Sequence, residues 1–133
     1  MDYNLFISHS WSYSDAYDKL VELLEKKPYF SFKNYSVPFD DPIHTNGSEK
    51  QLREAIIKQM SPTSCVLVLA GVYSTHSKWI REEINIAKSC FSNPKKIIAI
   101  EPWGAEHTST FVKDTADVIV GWNTDSIVNA IRS

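Results

Sequence analysis

Glycine and cysteine are scarce in this chain, and no charge of one sign dominates. With 4 glycines in 133 residues, it contains neither GxGxxG nor GxxxxGK[ST], the turns by which a backbone closes on phosphate. Neither a Rossmann cofactor site nor a P-loop is therefore expected. Of the 2 cysteines, Cys65 lies in an apolar run and Cys90 on an apolar helical face, with no CxxC spacing. They read as small core hydrophobes of a reducing, cytoplasmic setting. A formal charge of −2 and a pI near 6.1 provide no basic face for nucleic acid. His9, His44, His76 and His107 are dispersed, without HxxxH or Cys/His pairing, so no metal site is expected. The longest apolar run, Cys65–Val72, is far shorter than the ~20 residues of a membrane-spanning helix. The start of the chain shows no basic stretch followed by an apolar one, so no signal peptide is expected. What remains is a chain 43% hydrophobic, sized for one domain over residues 1–133 with a real core.

Hydrophobic patterning divides that chain into alternating strands and helices. Asn4–Ser8 reads as a strand buried on both faces, followed by a polar loop from Ser8 to Ser12. A helix from Asp15 to Lys27 follows, with Ala16, Leu20, Leu23 and Leu24 inward, a serine cap at Ser12 or Ser14, and Pro28 as its stop. Phe30–Val37 is a more polar strand suited to a sheet edge. Two prolines, two acids and Asn46-Gly47 make Pro38–Gly47 a long loop. A helix to Met60 turns Leu52, Ala55, Ile56 and Met60 inward, and Cys65–Ala70 reads as the central strand. After a helix within 74–91, Lys96–Ile100 is a fourth strand, Glu101–Gly104 a turn, and His107–Thr115 at most a short helix. Asp117–Val120 is a last strand and Asp125–Arg132 a terminal helix burying Ile127, Val128 and Ile131. The alternation implies an α/β, flavodoxin-like domain: a five-stranded parallel sheet of order 2-1-3-4-5 with helices on both faces. Ligands of such sheets bind beyond the carboxyl ends of the strands, at the switch point between strands 1 and 3.

One helix breaks its own pattern. On a wheel of about 100° per residue, Trp79, Ile80, Ile84, Ile86, Ala87, Cys90 and Phe91 form one apolar arc, with Lys78, Arg81, Glu82, Asn85, Lys88 and Ser89 opposite. Glu82 is then a solvated charge, while Glu83 sits inside the apolar stripe. A buried carboxylate costs several kcal/mol unless it is paired, bonded or open to a cleft. Glu83 is thus either satisfied by a core Tyr, Arg or backbone N–H, or reserved for a ligand. Ser8 or Ser10 beside His9 lacks the GxSxG elbow of a nucleophile, and the two serines are better suited to capping the next helix. Trp11, Trp79 and Trp103 stand at strand-to-helix transitions, where a ring packs or stacks on a flat ligand.

Several boxes resemble a known family. Phe6-Ile7-Ser8-His9 resembles the first box of TIR domains, and Ser77-Lys78-Trp79-Ile80-Arg81-Glu82-Glu83-Ile84 their S-x-W-x-x-x-E-[LI] motif. Residues 34–38, Leu69–Tyr73, Glu101–Gly104 and Gly121–Val128 extend the likeness across nearly the whole chain. It is similar to the bacterial and archaeal TIR-like family that includes the ThsB proteins of Thoeris antiphage defence. The loop at Pro38–Gly47 matches the BB loop in place, with its Pro and Gly further apart.

The resemblance implies an enzyme that breaks the nicotinamide–ribose bond of NAD, taken as substrate with no separate cofactor. Its product would be a signalling nucleotide, a cyclic ADP-ribose isomer or an ADP-ribose conjugate, read by a separate effector. Position for position, the catalytic residue is Glu83. Ser8, His9, Ser10 and Trp11 would form one wall of the substrate pocket, with Trp79 beside the acid and with Asn34 and Asp41, at the end of strand 2 and in the following loop, also binding substrate. Homo-oligomers, or assembly with other TIR-like domains, would complete the site on activation. Two other functions remain compatible with the same likeness, a TIR-like scaffold without turnover and a nucleotide sensor that binds without releasing nicotinamide.

Overall fold

The computed structural model describes residues 2–8, 15–35, 49–69, 78–101 and 110–133. Along them run β1 (Asp2–Ser8), α1 (Asp15–Glu25), β2 (Ser31–Asn34), α2 (Glu49–Met60) and β3 (Cys65–Leu69). After these come α3 (Lys78–Ser89), β4 (Lys96–Glu101), α4 (Thr110–Thr115), β5 (Val118–Gly121) and α5 (Thr124–Arg132). The strands form one parallel sheet of order β2-β1-β3-β4-β5, the expected flavodoxin-like architecture. Cys65–Leu69 is central and wholly buried, as a parallel strand covered on both faces must be.

Period-two alternation sorts the core into two clusters. Phe6, Val66, Val68, Ile97 and Ala99 face one way, against Ile56 and Met60 of α2, Ile84, Ile86 and Ala87 of α3, and Val112 of α4. Leu5, Ile7, Cys65, Leu67, Ile98 and Ile100 face the other way, against Leu20 and Leu24 of α1 and Ile127, Val128 and Ile131 of α5. Ser8, two residues beyond Phe6, therefore belongs to the α2–α3 face.

Element ends differ from expectation for identifiable reasons. α1 stops at Glu25 rather than Lys27, because a residue before proline is pushed out of the helical region; the Lys27 N–H instead donates to the Leu24 carbonyl at 3.3 Å. Tyr29 follows with φ of 60°. β2 spans only Ser31–Asn34 of the expected Phe30–Val37, with one further bond from the Tyr35 N–H to the Leu5 carbonyl; residues 36 and 37 lie outside the described residues. β2 is the edge strand its polarity called for.

The amino ends of the strands are closed by lysines. Lys95 Nζ donates to the carbonyls of Ser61 and Thr63, just past α2, and stands 4.8 Å from the Phe91 ring centroid. Lys96, on the opposite face, donates to the carbonyls of Ala130 and Ser133 at the end of α5. Each ammonium sits where the orphan carbonyls and the negative end of a helix dipole converge. At the start of α5, Asn123 Oδ1 accepts from the Ser126 N–H at 3.0 Å, an N-cap.

Candidate functional site

Among the described residues, three polar side chains are buried: Ser8, Thr63 and Glu83. Thr63 is satisfied, its hydroxyl donating to the Met60 carbonyl at 2.6 Å. Ser8 Oγ and Glu83 Oε2 have no hydrogen-bond partner. A buried polar atom left unbonded costs about 1–3 kcal/mol, and such atoms mark places where function overrides stability.

The fold brings these two together. Glu83 stands beside Ile84, Ile86 and Ala87 on the inward stripe of α3, which packs on β3 and β4. Its side chain is 3% exposed. Ser8 is the last residue of β1, in register with Val68 of β3. The carboxyl and the hydroxyl thus meet on one sheet face, at the carboxyl ends of β1 and β3, the two strands that flank the switch point. Burial pushes the Glu83 carboxyl up to about 8, and the nearby Ser8 hydroxyl draws it part of the way back. That proximity is a loose approach, since neither oxygen has a partner at bonding geometry. Among the described residues, no ion pair holds Glu83.

Glu82 corrects its expected role as an ordinary solvated charge. It accepts from Arg53 Nη1 of α2 at 2.7 Å with its side chain 29% exposed, while Arg53 Nη2 reaches Cys90 Sγ at 3.6 Å. The guanidinium ties α2 to α3 one residue before Glu83. Cys90, expected on the buried face, is only partly buried, whereas Cys65 is buried and its thiol is raised by desolvation to about 11.

The other expected site residues are distributed as follows. Asn34 ends β2, exposed and level with Leu5; alternation puts it on the α1–α5 side, so the structure does not bring it to Glu83. Trp79 lies in the first turn of α3, four residues before Glu83, and its side chain is outside the described residues. His9, Ser10, Trp11 and Asp41 also fall outside the described residues. A groove of about 360 Å³ bounded by Lys19, Glu22, Leu23, Lys26, Trp122 and Thr124 is on the α1–α5 side, away from the acid.

Among the described residues, no group of three or more His, Cys, Asp or Glu could hold a metal ion, and no helix is long and apolar enough to cross a membrane. Among the described residues, the chemistry available is that of one buried carboxyl and one hydroxyl: electrostatic stabilisation of a cation, and hydrogen bonding to a polyol.

Comparison with curated proteins gives no match. A family model described as the TIR-like domain of Thoeris protein ThsB matches residues 6–107. That span holds both Ser8 and Glu83, and stops short of the motif at Gly121–Val128. With most of the chain matched and the five-stranded parallel sheet of the expected order in place, the chain belongs to the TIR-like domain family of the Thoeris protein ThsB.

Proposed function

We propose that this domain cleaves the bond between nicotinamide and ribose in NAD, with Glu83 facing the ribose, and that it acts in Thoeris-type antiphage defence. The observation that carries the reading is a carboxyl held on an apolar helix face with Oε2 unpartnered, beside a second unpartnered buried hydroxyl. A scaffold has no physical use for that pair.

The reaction needs little apparatus. The C–N bond breaks heterolytically and its electron pair neutralises the pyridinium nitrogen, so nicotinamide leaves as a neutral molecule without an acid. Glycosidases that expel an alkoxide need a second carboxyl to protonate it; a pyridinium does not. The ribosyl group becomes oxocarbenium-like, and an ionised Glu83 in a dry setting stabilises that positive charge. Water captures the cation to give ADP-ribose, losing a proton; the substrate's own adenine gives a cyclic isomer; another nucleophile gives a conjugate. We infer a signalling product of one of the last two kinds, made inside the cell, read by a separate effector, and formed most effectively when TIR-like domains assemble.

The test is incubation with NAD at high protein concentration, with nicotinamide and new nucleotides separated by chromatography. Wild type releases nicotinamide, and Glu83→Gln, which keeps the shape and removes the charge, loses at least ~100-fold in rate. Equal turnover by the two proteins refutes the assignment of Glu83, and NAD binding with no release by either establishes a sensor instead.

A further inference from the structure

We propose that Ser8 is a positioning residue for Glu83: its buried, unpartnered hydroxyl donates to the Glu83 carboxylate as a cationic N-riboside enters, so that ligand binding and ionisation of the acid are one event. The inference rests on the reading of Glu83 as the group facing the ribose.

Three observations support it. Ser8 ends β1 on the α2–α3 side of the sheet, the side on which Glu83 is buried. Neither Ser8 Oγ nor Glu83 Oε2 is bonded elsewhere, so no existing bond must break for them to join. A hydroxyl carries one donor and two acceptor sites and rotates; it accepts from a protonated carboxyl and donates to an ionised one, serving both states without moving the backbone.

Among the described residues, the charged groups on the packed elements are held by other groups, exposed or partly buried. Arg53 of α2 is held by Glu82, and Lys88 of α3 by Asp117 at 2.7 Å. Lys95 and Lys96 are held by carbonyls at the far end of the sheet. Lys50, Glu54 and Lys58 of α2, Arg81 of α3 and Lys113 and Asp114 of α4 are exposed, and Glu101 stands at the end of β4, partly buried. Among the described residues, burial acts on Glu83 in favour of the neutral acid and Ser8 in favour of the ion. A pyridinium arriving within a few ångströms adds the charge that tips the balance. The Glu83 proton then leaves to solvent, while Ser8 keeps its own and shares it in the new bond.

The experiment measures protons on binding, separately from turnover. A carbocyclic NAD analogue keeps the pyridinium but resists cleavage, because it lacks the ring oxygen that makes the oxocarbenium; its dihydro form carries a neutral ring. Calorimetry at pH 7 in two buffers of unlike ionisation enthalpy should show wild type releasing roughly one proton per pyridinium ligand bound, and none with the dihydro form. Glu83→Gln should bind without release. Ser8→Ala should move the acid limb of NAD turnover up by about one pH unit, a tenfold loss at fixed pH on that limb. Ser8→Thr should restore the limb, and thermal melts confirm that both variants fold.

Absence of binding or of proton release in wild type overturns the proposal, as does an acid limb indifferent to Ser8→Ala. If NAD is not cleaved at all, the proposed function fails while the proton count on the analogue still decides this inference. If turnover needs Glu83 but the limb ignores Ser8, cleavage stands and this inference falls.

Discussion

At Glu83, burial and charge are in conflict, and the conflict leaves a mark on stability. In the unfolded chain the carboxyl has its ordinary value near 4.5, whereas burial lifts it to about 8 in the fold. Between those values the unfolded chain has lost the proton and the folded chain keeps it. Stability from this residue is therefore greatest below about pH 4.5 and declines as pH rises toward 8. Glu83→Gln, neutral at every pH, should match wild type in denaturant midpoint near pH 4.5 and exceed it by a margin that widens up to pH 8. A gap that stays constant with pH would show that Glu83 does not carry the shift. The same substitution is expected to remove turnover, so one residue would trade stability for activity.

Among the elements, the α1–β2 connection carries avoidable strain. Tyr29 is fully exposed with φ of 60°, a conformation costing an L-residue about 1–2 kcal/mol. Its carbonyl accepts from Arg132 Nη2 at 3.0 Å, and the Arg132 guanidinium lies 5.5 Å from the Phe30 ring centroid. Tyr29→Gly keeps that carbonyl and removes the strain, at a cost of about 0.5–1 kcal/mol in chain entropy. A net gain of about 0.5 kcal/mol is expected in urea unfolding; a loss would show that the ring contributes packing. Elsewhere, the Arg53–Glu82 bridge sets α2 against α3 beside the acid. Part-exposed as it is, it orients more than it stabilises.

At the scale of the whole molecule, side-chain bonds tie the amino ends of the strands together, and among the described residues the two unpartnered buried oxygens lie on the side of the carboxyl ends. At the amino ends, Asp117 Oδ2 accepts from Lys88 Nζ at 2.7 Å and from the Ile97 N–H at 2.8 Å. Burial pushes the Asp117 carboxyl up, but these bonds and the Lys88 and Lys96 charges outweigh it and hold the group below its ordinary range. A lowered carboxyl contributes stability above its unfolded value of 3.8 and loses it as pH falls through the folded value. Asp117→Ala should lose roughly 1–2 kcal/mol at pH 7, with the loss shrinking under acid and kcat/KM for NAD unaltered. A fall in kcat/KM would mean that the two ends of the sheet are coupled.

Much of this was legible in the residues because the signals are local. Leu20, Leu24, Ile56, Met60, Ile84, Ile127 and Val128 are all buried as their helical spacing required. The apolar run at Cys65 marked the central strand, and Glu83 declared itself by standing where a hydrophobe belonged. The partners were not legible. That Ser8 shares a sheet face with Glu83, that Arg53 claims Glu82, and that adjacent lysines close helices on opposite faces all depend on residues far apart in the chain. No periodicity encodes such meetings; strand order, register and crossover handedness create them. The sequence by itself determined which side chains must leave water, because hydrophobic spacing is a property of neighbours. Only the tertiary structure decided which polar groups left with them and which of those went unbonded, because satisfaction of a buried atom is a property of what the fold places beside it.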